Sequence, residues 1–117
     1  MSGRMIAVVG AIMMTAQVVA ASEVVFNPSN GTLQENNSWT SILYVNGTAF
    51  PLTHTCTMVD AMAECTAPLP NIQSALTPSG PQTFRVSLYD PILMVESGKS
   101  APFIRVRPGA PTSGRLK

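Results

Sequence analysis

From Thr83 to Tyr89 the side chains alternate with a period of two. Phe84, Val86 and Leu88 fall on one side, and Arg85, Ser87 and Tyr89 on the other. That pattern predicts a strand with one buried face. Trp39 to Val45 also alternates, with Trp39, Ser41, Leu43 and Val45 opposed to Thr40, Ile42 and Tyr44. Both faces carry bulky residues, which predicts a central strand. Glu23 to Phe26 reads as the first strand and Thr48 to Leu52 as a return strand. Pro51 lacks an amide hydrogen, so that return strand belongs at an edge. Ile92 to Glu96 and Pro102 to Val106 complete the set, joined by Ser97-Gly98-Lys99-Ser100.

Turn chemistry separates these runs. Asn27-Pro28-Ser29-Asn30-Gly31, Pro78-Ser79-Gly80-Pro81 and Asp90-Pro91 are dense in turn formers. Asn46-Gly47 between two apolar runs is a strong type I′ hairpin signal. Thr32 to Ser38 is polar and reads as a loop. Asn71 to Leu76 reads as one helical turn or a loop. Amphipathic helical periodicity is absent from residues 22–107. Short strands at close spacing predict an all-β chain, a small Ig-like antiparallel β-sandwich over residues 22–107. Residues 108–117, rich in Gly, Pro and Ser, read as a flexible tail.

Both cysteines fall in one such hairpin. A two-residue turn at Asp60-Ala61 sets Val59 against Met62, Met58 against Ala63, Thr57 against Glu64 and Cys56 against Cys65. The pair flanking the turn is hydrogen-bonded, so Cys56 and Cys65 fall on a non-hydrogen-bonded site. Cα atoms there lie about 4.5 Å apart, near the short limit for a disulfide. A Cys56–Cys65 bridge closing the hairpin is the expectation. The same register puts Cys56, Met58, Ala63, Cys65 and Ala67 on an apolar face, with Thr55, Thr57, Glu64 and Thr66 opposite. The usual immunoglobulin bridge joins two sheets, whereas this one joins neighbouring strands.

Composition narrows the class. Charged residues make up 11% and hydrophobic ones 45%, which argues against wholesale disorder. A formal charge of +1 gives no reason to expect nucleic acid. Residues 1–21 read as a secretory signal peptide, with Arg4 in the n-region, an apolar run from Met5 to Val19, and Val19-Ala20-Ala21 before a cut. The run is shorter than a spanning helix needs, so the mature chain is expected to lack a transmembrane segment. An oxidising compartment gives the cysteines a partner in each other.

Three sequons follow, at Asn30, Asn36 and Asn46, all in expected turns or loops where a glycan reaches solvent. Arg105 and Arg107 alternate along the last strand beside Phe103, with Arg85 expected nearby. They form a candidate contact edge for an acidic protein partner, and alternating Arg also blunts an edge against aggregation. Trp39 is expected in the core. His54 is the only histidine, and it reads as a rim residue of the cystine hairpin. No nucleophile elbow, phosphate loop or dinucleotide fingerprint appears in the sequence. One His with scattered carboxylates makes no recognised metal set, so neither metal nor cofactor is expected.

Leu43-Tyr44-Val45-Asn46-Gly47-Thr48-Ala49-Phe50-Pro51-Leu52 resembles the hairpin of the delta subunit of the translocon-associated protein complex. Pro81-Gln82-Thr83-Phe84-Arg85-Val86-Ser87-Leu88-Tyr89-Asp90 resembles a later strand of that family, and Ser100 to Val106 is similar in kind. The family's amino-terminal cysteine pair has no counterpart here. The resemblance implies a luminal β-sandwich at the endoplasmic-reticulum translocon, without catalysis, and it transfers no site residue.

Two functional readings result. The first is a non-catalytic binding or structural module of the secretory pathway, in the endoplasmic-reticulum lumen or outside the cell. The alternative is a small secreted glycoprotein effector or enzyme inhibitor, with a loop such as Pro68 to Pro81 inserted into its target. A small hydrolase lacks a nucleophile–base constellation in the sequence.

Overall fold

The computed structural model describes residues 22–116. The signal-peptide reading of residues 1–21 lies outside that range. The elements in chain order are β1 (Glu23–Phe26), α1 (Leu33–Ser38), β2 (Thr40–Val45), β3 (Thr48–Leu52), β4 (Thr55–Val59) and β5 (Met62–Pro68). A 3₁₀ turn (Gln73–Ala75), β6 (Gly80–Asp90), β7 (Val95–Glu96) and β8 (Phe103–Arg107) follow. Two antiparallel sheets form, one ordered β1-β5-β4 and the other β3-β2-β6, with β7 and β8 sharing the far side of β6. The expected all-β, sandwich-like fold is the one observed.

The sheets share one core. Val24 and Ala67 from the first meet Leu43, Val45, Leu52, Phe84 and Val86 from the second, and Ile72 joins them from the intervening loop. Each of the buried Val, Leu, Ile and Phe side chains contributes roughly 1.5–3 kcal/mol by leaving water, and Ala67 less. As the alternation predicted, β2 is central and β3, with Pro51, is an edge. The β2–β3 turn has φ of 49° at Asn46 and 89° at Gly47, the left-handed pair a type I′ turn demands.

The cystine hairpin has the expected register, from Val59 opposite Met62 to Cys56 opposite Cys65. Cys56 and Cys65 are bonded, with Cα atoms 4.0 Å apart. The expected apolar face is buried only in part, however. Cys56, Cys65 and Ala67 are inside and Ala63 is partly buried, but Met58, toward the hairpin tip, is exposed.

The loop expected at residues 32–38 is a helix. Thr32 caps α1: its hydroxyl accepts from the Glu35 amide at 3.1 Å, and the Glu35 carboxylate accepts from the Thr32 amide at 2.8 Å. This reciprocal pair is a capping box, written in the sequence as Thr-x-x-Glu. Six residues are too few to display helical periodicity. Trp39 ends this helix instead of opening β2, and it stands half-buried outside the core. Its ring lies over Gly31, whose φ is +88°, and a Cβ at Gly31 would meet that ring at 2.8 Å.

The strand expected at 83–89 runs longer, from Gly80 to Asp90, because β2 pairs its second half and β8 its first. The strand expected at 92–96 shortens to Val95–Glu96, since Pro91 to Met94 form the turn. Between β7 and β8, serine hydroxyls continue the ladder. Ser97 and Ser100 Oγ accept from the Leu88 and Val86 amides at 2.9 and 3.0 Å.

Candidate functional site

Each sheet edge is managed differently. On the β4 edge, the Asn37 side chain imitates a neighbouring strand. Its Oδ1 accepts from the Cys56 amide at 2.8 Å and its Nδ2 donates to the Cys56 carbonyl at 3.0 Å. The β3 edge carries Pro51, which has no amide hydrogen to offer. The β1 and β8 edges face the same side of the sandwich, and no strand among the described residues covers them. They border a groove of about 300 Å³ lined by Glu23, Val25, Leu69, Phe84, Phe103 and Arg105.

Register decides which way β8 points. Phe103 lies opposite Phe84 and Arg105 opposite Gln82, so Phe103, Arg105 and Arg107 share the inward face of the sheet. Phe103 stacks on Phe84 with centroids 5.5 Å apart. Arg85 pairs with Tyr44 and faces the other way, so the expected grouping of Arg85 with Arg105 and Arg107 does not form. Arg107 donates to the Thr77 carbonyl at 3.0 Å, which leaves Arg105 as the freer cation at the groove. Ile104 and Val106 project from the opposite face, exposed.

The expected sequons separate by environment. Asn30 is exposed in the β1–α1 loop. Asn36 is fully buried, and its Nδ2 donates to the Asn30 and Thr32 carbonyls at 3.1 and 2.9 Å. The atom that would carry a glycan is therefore inside, a correction to the loop placement. Asn36 turns inward from the capped helix onto the preceding loop, where its Nδ2 finds the Asn30 and Thr32 carbonyls. Its Oδ1 has no protein partner. Asn46 is exposed, yet its Nδ2 already donates to Ala75 O and Gln82 Oε1 at 2.9 and 2.8 Å. Those bonds tie the β2–β3 turn to the loop before β6. That loop lies down on the core through Ile72, Leu69 and Leu76, so residues 68–81 do not project as an insertion loop.

Two polar clusters were missed by local pattern. In the first, His54 Nε2 lies 2.8 Å from the Asn36 carbonyl and Nδ1 lies 2.6 Å from Ser41 Oγ. A carbonyl only accepts, so Nε2 carries a proton, and in that tautomer Nδ1 accepts from the Ser41 hydroxyl. Phe26 meets the ring edge-on at 5.5 Å. Ser41 is 1% exposed, so this pair binds segments together and presents no nucleophile to solvent. His54, Cys56 and Cys65 hold potential metal-ligand atoms within 4.8 Å of one another. The two sulfurs are bonded to each other, so neither is a thiolate donor.

In the second cluster, Tyr44 and Ser87 both donate to Glu96 Oε2, Ser87 at 2.5 Å. The Ser87 hydroxyl, then Tyr44, then the charge of Lys99 hold the Glu96 carboxyl below its usual range. The hydrogen bond to Glu96 pushes the Tyr44 phenol above its usual value. Lys99 stands over the Tyr44 ring, 4.4 Å from its centroid. This cluster fastens β7 across the outer face of β6 to β2.

Among the described residues no helix is long and apolar enough to cross a membrane. The disulfide is consistent with an oxidising secretory or extracellular environment. Comparison with known protein families, with characterised proteins and with solved structures finds no match.

Proposed function

We propose that this chain is a non-catalytic binding or structural module of the secretory pathway, working through contact of its β8 edge with a protein partner. One observation carries the reading: β4 is covered by α1 and β3 carries Pro51, while β8 keeps an open edge beside a groove. Such an edge accepts an added extended segment through main-chain hydrogen bonds. Arg105 at the groove favours an acidic segment, and Phe103 supplies an apolar contact. Exposed charge pairs there contribute about 0–1 kcal/mol each, so the backbone pairing carries most of the contact.

The resemblance to the delta subunit of the translocon-associated complex makes the endoplasmic-reticulum translocon the first place to seek that partner. Tagged protein recovered from microsomes is expected to co-purify with a luminal partner. Exchanging Arg105 and Arg107 for Glu is expected to weaken that contact while leaving the thermal unfolding transition in place. Undiminished recovery of the partner by the double variant overturns the edge assignment. Secretion predicts an amino terminus at Ser22, read by terminal sequencing. Recovery of a chain that retains Met1 argues against it.

A further inference from the structure

The hairpin between β6 and β7 ends in four consecutive apolar residues that nothing among the described residues covers. Ile92 is 87% exposed, Leu93 70%, Met94 75% and Val95 57%. A second apolar tip lies on the β4–β5 hairpin, where Met58, Val59 and Met62 are also exposed. Both tips adjoin the same loop. Ser29 and Asn30 border a hollow that holds Trp39, Leu93 and Val95, and another that holds Met58 and Met62. The two tips therefore emerge at one end of the sandwich. β8 pairs with the start of β6, at Gly80 to Phe84, so its edge lies toward the other end.

We propose that this end docks on a lipid surface, with Ile92, Leu93 and Met94 inserted at the boundary of headgroups and acyl chains. Three observations lead there. The apolar side chains stand on projecting turns, which suits a deformable apolar medium better than a rigid groove. The turn also has its backbone donors satisfied internally. Asp90 Oδ1 accepts from the Ile92 and Leu93 amides at 2.9 and 3.3 Å, and the Asp90 carbonyl accepts from Met94 at 2.7 Å. Pro91 has no donor, so residues 91–94 present no free amide hydrogen. Water would tolerate unpaired amides, whereas hydrocarbon does not. Finally, Trp39 lines the hollow behind the tip, and an amphipathic ring at that depth suits a membrane interface.

Charge selects the kind of lipid. Asp60 sits at one tip, Asp90 and Glu96 flank the other, and Lys99 is the cation at the hollow. That balance favours zwitterionic headgroups over anionic ones. The docking is peripheral and leaves the β8 edge free, so it does not depend on the proposed protein contact.

Flotation with phosphatidylcholine vesicles tests the proposal on the full chain. The wild type is expected to float, and the emission of Trp39, the only tryptophan, to shift to shorter wavelength on adding vesicles. An Ile92→Ser, Leu93→Ser, Met94→Asn variant is expected to partition about tenfold more weakly and to lose the shift. Asn is chosen at 94 because φ there is 59°, a conformation Asn tolerates. Met58→Ser with Met62→Ser is expected to give a smaller loss in the same direction, and it checks the result should the first variant fold poorly. Equal flotation of the variants with an unchanged Trp39 emission overturns the proposal. So does a wild-type dimer that the triple variant converts to monomer, since a second copy would then be what covers the tip.

Discussion

Ser41 Oγ donates to His54 Nδ1 at 2.6 Å, joining the central strand β2 to the link between β3 and β4. His54 then donates to the Asn36 carbonyl, so one imidazole ties the β3–β4 link to both α1 and β2. Removing the serine hydroxyl leaves a shielded acceptor unpaired, at a cost of roughly 1–2 kcal/mol. Ser41→Ala is expected to unfold at correspondingly lower denaturant. His54→Ala should lose more, since it also gives up the Phe26 contact. Urea melts of the two variants and their double should be non-additive. Full additivity would contradict a shared bond.

The cystine contributes stability chiefly through the unfolded chain. Its sequence separation of 9 is short, and loop entropy for such a bridge amounts to ~2–3 kcal/mol. The Cys56→Ala, Cys65→Ala double variant is expected to lose that amount or slightly less, because the hairpin ladder already favours closure. Calorimetry or urea unfolding checks it.

Asp60 and Ala61 have φ of 50° and 64°, the left-handed pair of a type I′ turn. A Cβ at Ala61 opposes that conformation by about 1–2 kcal/mol, while Gly loses about 0.5–1 kcal/mol more chain entropy. Ala61→Gly is therefore expected to stabilise the protein by roughly 0.5–1 kcal/mol. A measured loss of stability would show that the turn relaxes its strain in another way.

Gly31 gives the opposite result. Its φ of +88° opposes any side chain, and so does the Trp39 ring, which lies 2.8 Å from where a Cβ would stand. Gly31→Ala is expected to cost at least ~1 kcal/mol and to change Trp39 emission as the ring moves aside. Unchanged emission would mean the loop moves instead.

The Tyr44–Glu96–Ser87 cluster predicts a pH dependence of definite sign. The folded Glu96 value is lowered, so its stabilisation is present above the ordinary carboxylate range and is lost as pH falls through the folded value. Tyr44 is raised, so its contribution holds below about pH 10 and is lost as pH rises through the folded value. Glu96→Gln is expected to remove the acid-side part of this dependence. Urea unfolding of both proteins from neutral pH to about pH 3 should show their difference shrinking in acid. A constant difference would place the dependence on other groups.

Residue order alone determined the two hairpins and their registers. Asn46-Gly47 and Asp60-Ala61 set local turns, and a period of two then assigns every opposing pair, including Cys56 with Cys65. The β-rich architecture, the central place of β2 and the edge place of β3 also lay in that local pattern. Helix α1 was readable from Thr32 and Glu35, though it is too short for periodicity to reveal. Tertiary packing decided the rest, because alternation says which residues share a face and not what lies across from it. Met58 is exposed near the tip of its hairpin, and Asn36 is buried since α1 turns it inward. The β6–β8 pairing sent Arg105 and Arg85 to opposite faces. The same packing covered β4 with Asn37 and left β8 open, and it brought both apolar turns to one end. Those outcomes rest on contacts between distant segments, which no local spacing encodes.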